Sequence, residues 1–246
     1  MGSVKYYDVN DVDNMSESFI KFVRKHFRKN KLYGKRTLMI HCALANSVTA
    51  GRMDEVIDVL KDELIDIEQD FTRQRIVQLT HDFKGYVNFN SKTHEVEYEE
   101  AEEETLLKNL NDPDHPSNIV LFLNKGKCGM NVHNIKSYFS FRATDKKTDS
   151  GFIDGEVPIL DSAIQTIGRM MRIWTGILNK DFVKNWGYDL TNYVKSLNSV
   201  ERNNLLELNS YDVCVPDNQM WREAIRVIQS VLNPTKTQAS DWIKKL

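Results

Sequence analysis

Gln165-Thr166-Ile167-Gly168-Arg169-Met170-Met171-Arg172 has the form Q-x-x-G-R-x-x-R. On a helix, Arg169 and Arg172 lie three apart and share one face; Gln165, four before Arg169, joins them. Arginine stays charged and presents a planar donor fork that fits phosphate oxygens. Two guanidiniums and one amide turned the same way therefore suit a triphosphate. Gly168 lets another backbone approach closely. A plainer reading stands beside this one. Arg-x-x-Arg also suits the solvated face of an amphipathic helix whose Ile167, Met170 and Met171 turn to the core.

Working outward, Asn118-Ile119-Val120-Leu121-Phe122-Leu123 is an apolar run behind the breaker cluster 111–117, and reads as a buried strand. Asn124-Lys125-Gly126-Lys127-Cys128-Gly129-Met130-Asn131-Val132 follows as a loop with two glycines and two lysines. Residues 135–141 read as another strand. Further upstream, residues 36–44 form an apolar strand in which His41 and Cys42 read as core residues. A polar Ala45-Asn46-Ser47 comes next, and then Met53, Val56, Ile57, Val59, Leu60 and Leu64 recur at helical spacing.

In this order the segments resemble motifs IV, V and VI of the second RecA-like domain of superfamily 2 helicases and translocases. The resemblance covers about residues 14–180, and the 165–172 motif is its specific part. Gly129-Met130-Asn131-Val132 is similar to the family's Gly-hydrophobic-Asp-hydrophobic signature, with Asn131 where the family has Asp. Asparagine can still hydrogen-bond a ribose hydroxyl but brings no charge. The resemblance implies that Arg169 and Arg172 act as fingers on the γ-phosphate of ATP. It implies that Gln165 senses the nucleotide, and that Gly129 and Asn131 belong to the nucleotide-binding set. Asn46, Asn124, Lys125 and Lys127 are the candidate contacts to nucleic-acid phosphates, which carry no sequence information. DNA is favoured over RNA, and the short strands and compact motifs have a phage-like character.

What is missing bears on function as well. No G-x-x-x-x-G-K-[ST] occurs, and the pairs Asp54-Glu55 and Asp62-Glu63 fall inside the predicted helix rather than after a strand. The phosphate cradle and the Mg²⁺ carboxylates would therefore belong to a first RecA-like domain, in cis or in trans. ATP with Mg²⁺ would be bound mainly there, and this chain is expected to be inactive alone. Met1-Gly2-Ser3 suits an expression scar on an excised domain and equally the native start of a split enzyme. Two alternatives remain open: a degenerate, non-catalytic RecA-like module that binds or regulates a partner, and the motor part of a restriction or repair enzyme.

At 246 residues, 41% hydrophobic and 28% charged, the chain can bury a full core. A net charge of −2 gives no global basic footprint of a dedicated nucleic-acid binder. Three cysteines without a C-x-x-C read as reduced thiols of an intracellular protein, and no apolar run is long enough to span a membrane.

Ser16 is the expected cap of a helix with Phe19, Ile20, Phe22, Val23 and Phe27 on one face. Lys21, Arg24, Lys25, Arg28 and Lys29 lie on the other, as a solvated basic face or a nucleic-acid contact. Residues 75–80 read as a strand. Residues 86–90 and 93–98 alternate at period two around Ser91-Lys92, which predicts a hairpin insertion near 84–98. The acidic run 99–104 opens a helix ending near Leu110, with its carboxylates suited to the helix dipole. Beyond Gly176 the pattern is helical, clearest at Trp221, Ile225, Ile228 and Leu232. The expected architecture is α/β. A mostly parallel RecA-like sheet flanked by helices occupies residues 1–180, and a small C-terminal helical appendage occupies 181–246.

Overall fold

Thr37–His41, Ile119–Phe122 and Ile135–Ser140 are continuous runs buried at every position. Such runs suit strands covered on both faces, the condition of a parallel sheet. A computed structural model describes residues 3–8, 10–43, 51–68, 72–123, 132, 134–141 and 195–232. Its described elements, in chain order, are β1 (Val4–Tyr7), α1 (Val12–Tyr33), β2 (Thr37–His41), α2 (Met53–Glu68), β3 (Ile76–Leu79), β4 (Lys84–Phe89), β5 (Val96–Glu100), α3 (Glu103–Asn111), β6 (Ile119–Phe122), β7 (Ile135–Ser140), α4 (Ser199–Asn209), β8 (Asp212–Pro216) and α5 (Gln219–Leu232).

The strands form one eight-stranded sheet in the order β1-β8-β7-β2-β6-β3-β4-β5. Every neighbouring pair is parallel except β3–β4 and β4–β5, which are antiparallel. The expected α/β class, a mostly parallel sheet flanked by helices, is the one observed.

The helices divide between the two faces. Met15, Phe19, Phe22 and Phe27 of α1, with Val56, Ile57 and Leu60 of α2, pack on Leu38, Ile40, Ile119 and Phe139. Leu106 and Leu110 of α3, with Trp221 and Ile225 of α5, share the other core with Met39, Val120, Tyr138 and Val213. Successive side chains of each strand point to opposite faces, so one strand feeds both cores.

Three expectations shift in detail. Helix α1 starts before Ser16, because the Asp11 side chain accepts the Asn14 N–H at 2.9 Å and caps the helix there. The earlier start brings Met15 into the core. Glu99 and Glu100 belong to the hairpin rather than to the helix start. Glu99 accepts from Gln74 Nε2 at 2.9 Å and from Asn88 Nδ2 at 3.0 Å, which holds it on the strand. The hairpin itself forms as expected, with Val87 opposite Tyr98. Finally, β1 and β8 are strands that the sequence pattern does not announce. β8 follows a helix, within the stretch expected to be helical, and lies between β1 and β7 in the sheet.

Candidate functional site

Ligands of open α/β sheets bind beyond the carboxyl ends of the parallel strands. Here β7, β2 and β6 are adjacent and parallel, so the chain leaves all three at one edge. The ladder continues past the strands. Phe141 N–H donates to the His41 carbonyl at 2.8 Å, and Cys42 N–H to the Phe122 carbonyl at 3.0 Å.

The exit of β2 is closed at its base. Ala43 N–H donates to the Gly51 carbonyl at 2.8 Å, which fastens the strand end to the start of α2. Gly51 has φ of +99°, and a Cβ on it would lie 2.3 Å from the Phe141 ring. Only glycine satisfies both conditions. The Glu55 carboxylate accepts the N–H groups of Gly51 at 2.8 Å and Arg52 at 3.2 Å. Arg52 returns a guanidinium nitrogen to Glu55 at 2.8 Å. A free helix N-terminus is an anion site; here a carboxylate of the helix itself takes these N–H groups of its entry.

His41 and Cys42 are core residues. The His41 ring stacks on Phe122 with centroids 4.5 Å apart, and its Nδ1 lies 3.3 Å from the Tyr138 hydroxyl. Cys42 Sγ sits 3.7 Å from Met53 Sδ, and burial pushes its thiol far above the ordinary range. A thiol held protonated in this way is no nucleophile.

Asn46, Asn124, Lys125, Lys127, Gly129, Asn131, Gln165, Arg169 and Arg172 all lie outside the described residues. Their places in the chain are nonetheless fixed relative to the described exits. Asn46 comes three residues after Ala43, Asn124 directly follows Leu123, and the 165–172 motif lies downstream of Phe141.

The basic face of α1 is largely engaged within the molecule. Arg24 makes a two-pronged contact with Glu63 at 2.7 and 2.9 Å, and Lys21 pairs with Glu17 at 2.5 Å. Lys25 and Lys29 reach Asp212 at 2.6 and 3.0 Å. Asp212 opens β8 at the opposite, amino edge of the sheet, where Ser3, Arg36 and Lys136 also lie. Ser3 donates to it from N at 3.0 Å and from Oγ at 2.9 Å, and Arg36 stands 3.7 Å away. Arg36 also donates to the carbonyls of Glu207 and Ser210, both at 2.6 Å. Burial alone would raise the Asp212 pKa. The Lys25 hydrogen bond, the charges of Lys29 and Lys25 and the Ser3 N–H outweigh it and hold the carboxyl well below the usual carboxylate range. Burial, followed by the Arg36 charge, lowers Lys136 to about 7. Beside them His26 lies between Ser137 Oγ at 2.9 Å and Asn30 Nδ2 at 3.1 Å, fully buried and held neutral. Sequence reasoning missed Asp212; the one local signal was a charged residue heading a Val-Cys-Val run.

A shallow, open groove of about 470 Å³ is lined by Asp217, Asn218, Gln219, Arg222, Glu223 and Arg226. Its charges are spent on each other: Arg222 contacts Asp217 at 2.6 and 2.8 Å, and Arg226 contacts Glu223 at 2.5 and 2.9 Å. Among the described residues, no group of three or more His, Cys, Asp or Glu is placed to hold a metal ion. No described helix is long and apolar enough to cross a membrane.

No protein-family model matches the chain, and no curated protein matches it in sequence. Among solved structures, it is similar to that of the C-terminal domain of the DEAD-box protein Dbp5, with a TM-score of 0.41 and 10% identity, over 100% of this chain and 98% of that one. A likeness at that level carries no argument about family or activity.

Proposed function

We propose that the chain is the second RecA-like motor domain of an ATP-dependent nucleic-acid helicase or translocase, completing an ATP site shared with a first domain. The observation that carries this reading is the Q-x-x-G-R-x-x-R motif at 165–172. The described sheet supports it. Its exits from β2, β6 and β7 meet at one edge, and each candidate residue lies downstream of one of them.

In the proposed mechanism ATP lies in the cleft between two domains. Arg169 and Arg172 stabilise the charge that develops on the γ-phosphate, and Gln165 senses the nucleotide. Asn131 meets the ribose as a neutral hydrogen-bonding group. Asn46, Asn124, Lys125 and Lys127 hold nucleic-acid phosphates, and closure of the cleft with the ATP cycle steps the strand. Mg²⁺, which would neutralise charge on the phosphates, would be held with most of the ATP by the first domain, on its carboxylates.

The test is ATP turnover by this chain alone, and by the full-length enzyme carrying Arg172→Ala, each with and without DNA and RNA. The chain alone should not turn over. The substitution should lower kcat by about 10³-fold or more, as loss of a finger does in related phosphoryl transfer, while nucleic-acid binding is kept. Unchanged turnover in the variant refutes the finger assignment. Turnover by the chain alone refutes the shared site. Asn131 in place of Asp is the observation that favours a non-catalytic regulatory module. A full-length protein that binds nucleic acid but never turns over ATP would establish that reading instead.

A further inference from the structure

β5 ends the sheet, and its outer side pairs with no described strand. Asn90 N–H donates to the Glu95 carbonyl at 2.9 Å and Ala101 N–H to the Lys84 carbonyl at 3.2 Å. Hydrogen-bonded pairs alternate along an antiparallel ladder. Glu97 and Glu99 therefore turn their backbone groups toward β4, while Val96, Tyr98 and Glu100 turn theirs outward.

This open edge is acidic on both faces. Seven glutamates fall between residues 95 and 104. Arg73 lies 3.1 Å from Glu97 and 3.6 Å from Glu99, and Lys84 pairs with Glu103. Among the described residues, no cation lies within ion-pair distance of Glu95, Glu100, Glu102 or Glu104, and all four are exposed. In the middle of the edge stands Tyr98, 57% exposed. The Phe83 ring meets it edge-on, with centroids 5.3 Å apart and planes 80° apart. Burial raises the Tyr98 phenol pKa, and Asp54 and Asp58 of α2 push it the same way, which places their acid field at this ring too.

An open strand edge is a template for another strand. The charge selects what can use it. A second copy of β5 would set glutamate against glutamate, and nucleic acid would be repelled. We propose that the β5 edge takes up an extended, lysine- or arginine-rich segment of a partner protein as an added strand, with Tyr98 stacking against one of its cations. This inference rests on the β5 edge alone and stands independently of the motor reading.

The test uses the whole chain and a fluorescein-labelled peptide of alternating lysine and threonine. Fluorescence anisotropy should show saturable binding of one peptide per chain, weakened by salt. A matched glutamate–threonine peptide should not bind. Hydrogen exchange should slow at the amides of Val96, Tyr98 and Glu100. Tyr98→Pro removes an outward N–H and no ladder hydrogen bond. It and Glu100→Lys should each weaken binding about tenfold or more, a loss of about 1.4 kcal/mol. Thermal melting of both variants shows that the fold is retained, and Glu100→Lys carries the test if the proline does not fold. Absence of binding, equal binding by the parent and Glu100→Lys, or unprotected edge amides would each overturn the proposal. Self-association through β5, read by sedimentation, would do so as well.

Discussion

Replacing Asp212 by alanine removes the one carboxylate that gathers Lys25, Lys29, Arg36 and the N-terminal Ser3 at the amino edge of the sheet. The Asp212 side chain is 2% exposed and that of Arg36 0%. Neither group can recover hydration without unfolding. Breaking a buried ion cluster by deleting one partner costs about 3–5 kcal/mol. Lys25 and Lys29 keep some access to water, which places this loss near the lower end, at about 3 kcal/mol. In a domain of this size each kcal/mol moves the melting temperature by about 2–4 °C, so the midpoint should fall by about 6–12 °C. Asp212→Asn keeps an acceptor for Ser3 but drops the charge, and should lose less. Calorimetry against pH gives a sharper reading. The Asp212 carboxyl is held below its ordinary value in the folded state, so its stabilisation is present above the unfolded value of about 3.9 and fades as pH falls below it. The parent and the asparagine variant should therefore start to approach one another only below about pH 4, and meet only once the pH falls through the depressed value of the folded state. A loss under about 1 kcal/mol for the alanine variant, the level of an exposed pair, would refute the reasoning. So would parallel pH curves.

Three further outcomes follow from the same geometry. Gly51→Ala must carry a side chain at φ of +99° with its Cβ 2.3 Å from the Phe141 ring. It should lose about 1–3 kcal/mol in chemical denaturation, and Phe141→Leu should recover part of that in a double-mutant cycle; additive losses would exclude the contact. His26 is kept neutral by burial, with Arg36 and Arg75 acting in the same direction. The unfolded chain takes up its proton first, so stability is full above about pH 6.5 and declines as pH falls below it. In His26→Gln the slope between about pH 6.5 and 5 should flatten, and an unchanged slope assigns it to other groups. Glu55→Ala frees the N–H groups of Gly51 and Arg52. It should cost about 0.5–2 kcal/mol, as loss of a cap does, and raise the affinity for inorganic phosphate measured by calorimetry. A variant as stable as the parent would show that the carboxylate is no cap.

How much the sequence discloses depends on whether the deciding partner is local. Residues 119–122 are legible because a strand buried on both faces is mostly apolar, whatever lies beside it, and residues 135–140 follow the same rule apart from Lys136. The β4–β5 hairpin is legible because period-two alternation and a polar turn sit within one short stretch of chain, Lys84 to Glu100. β8 is not. Its first residue is Asp212, and a buried aspartate argues against a strand core until Lys25, Lys29 and Arg36 are seen around it. Those partners lie more than 170 residues away in sequence, where no local window reaches. The basic stripe of α1 is legible only in part for the same reason. Its spacing reveals a face, but nothing in the spacing reveals that Arg24 meets Glu63 or that Lys25 and Lys29 serve β8.

The candidate site shows the same division between residue type and adjacency. The guanidinium spacing of Arg169 and Arg172 and the glycine–lysine loop at 124–132 are chemical facts of the sequence. That β6 and β7 end at one edge of the sheet, on either side of β2, depends on β2 pairing with both in parallel, which no single segment specifies. The two edges of the sheet then divide the work. At the amino edge, Lys25, Lys29 and Arg36 gather on Asp212, with Glu207 also near Lys29 and backbone carbonyls accepting from Arg36. At the carboxyl edge, Glu55 takes the N–H groups at the entry to α2, and Gly51 leaves no room for a side chain against Phe141. A phosphate arriving at that edge would find the Gly51 and Arg52 N–H groups already taken. The proposal accordingly gives its recognition to the cationic side chains of Lys125, Lys127, Arg169 and Arg172.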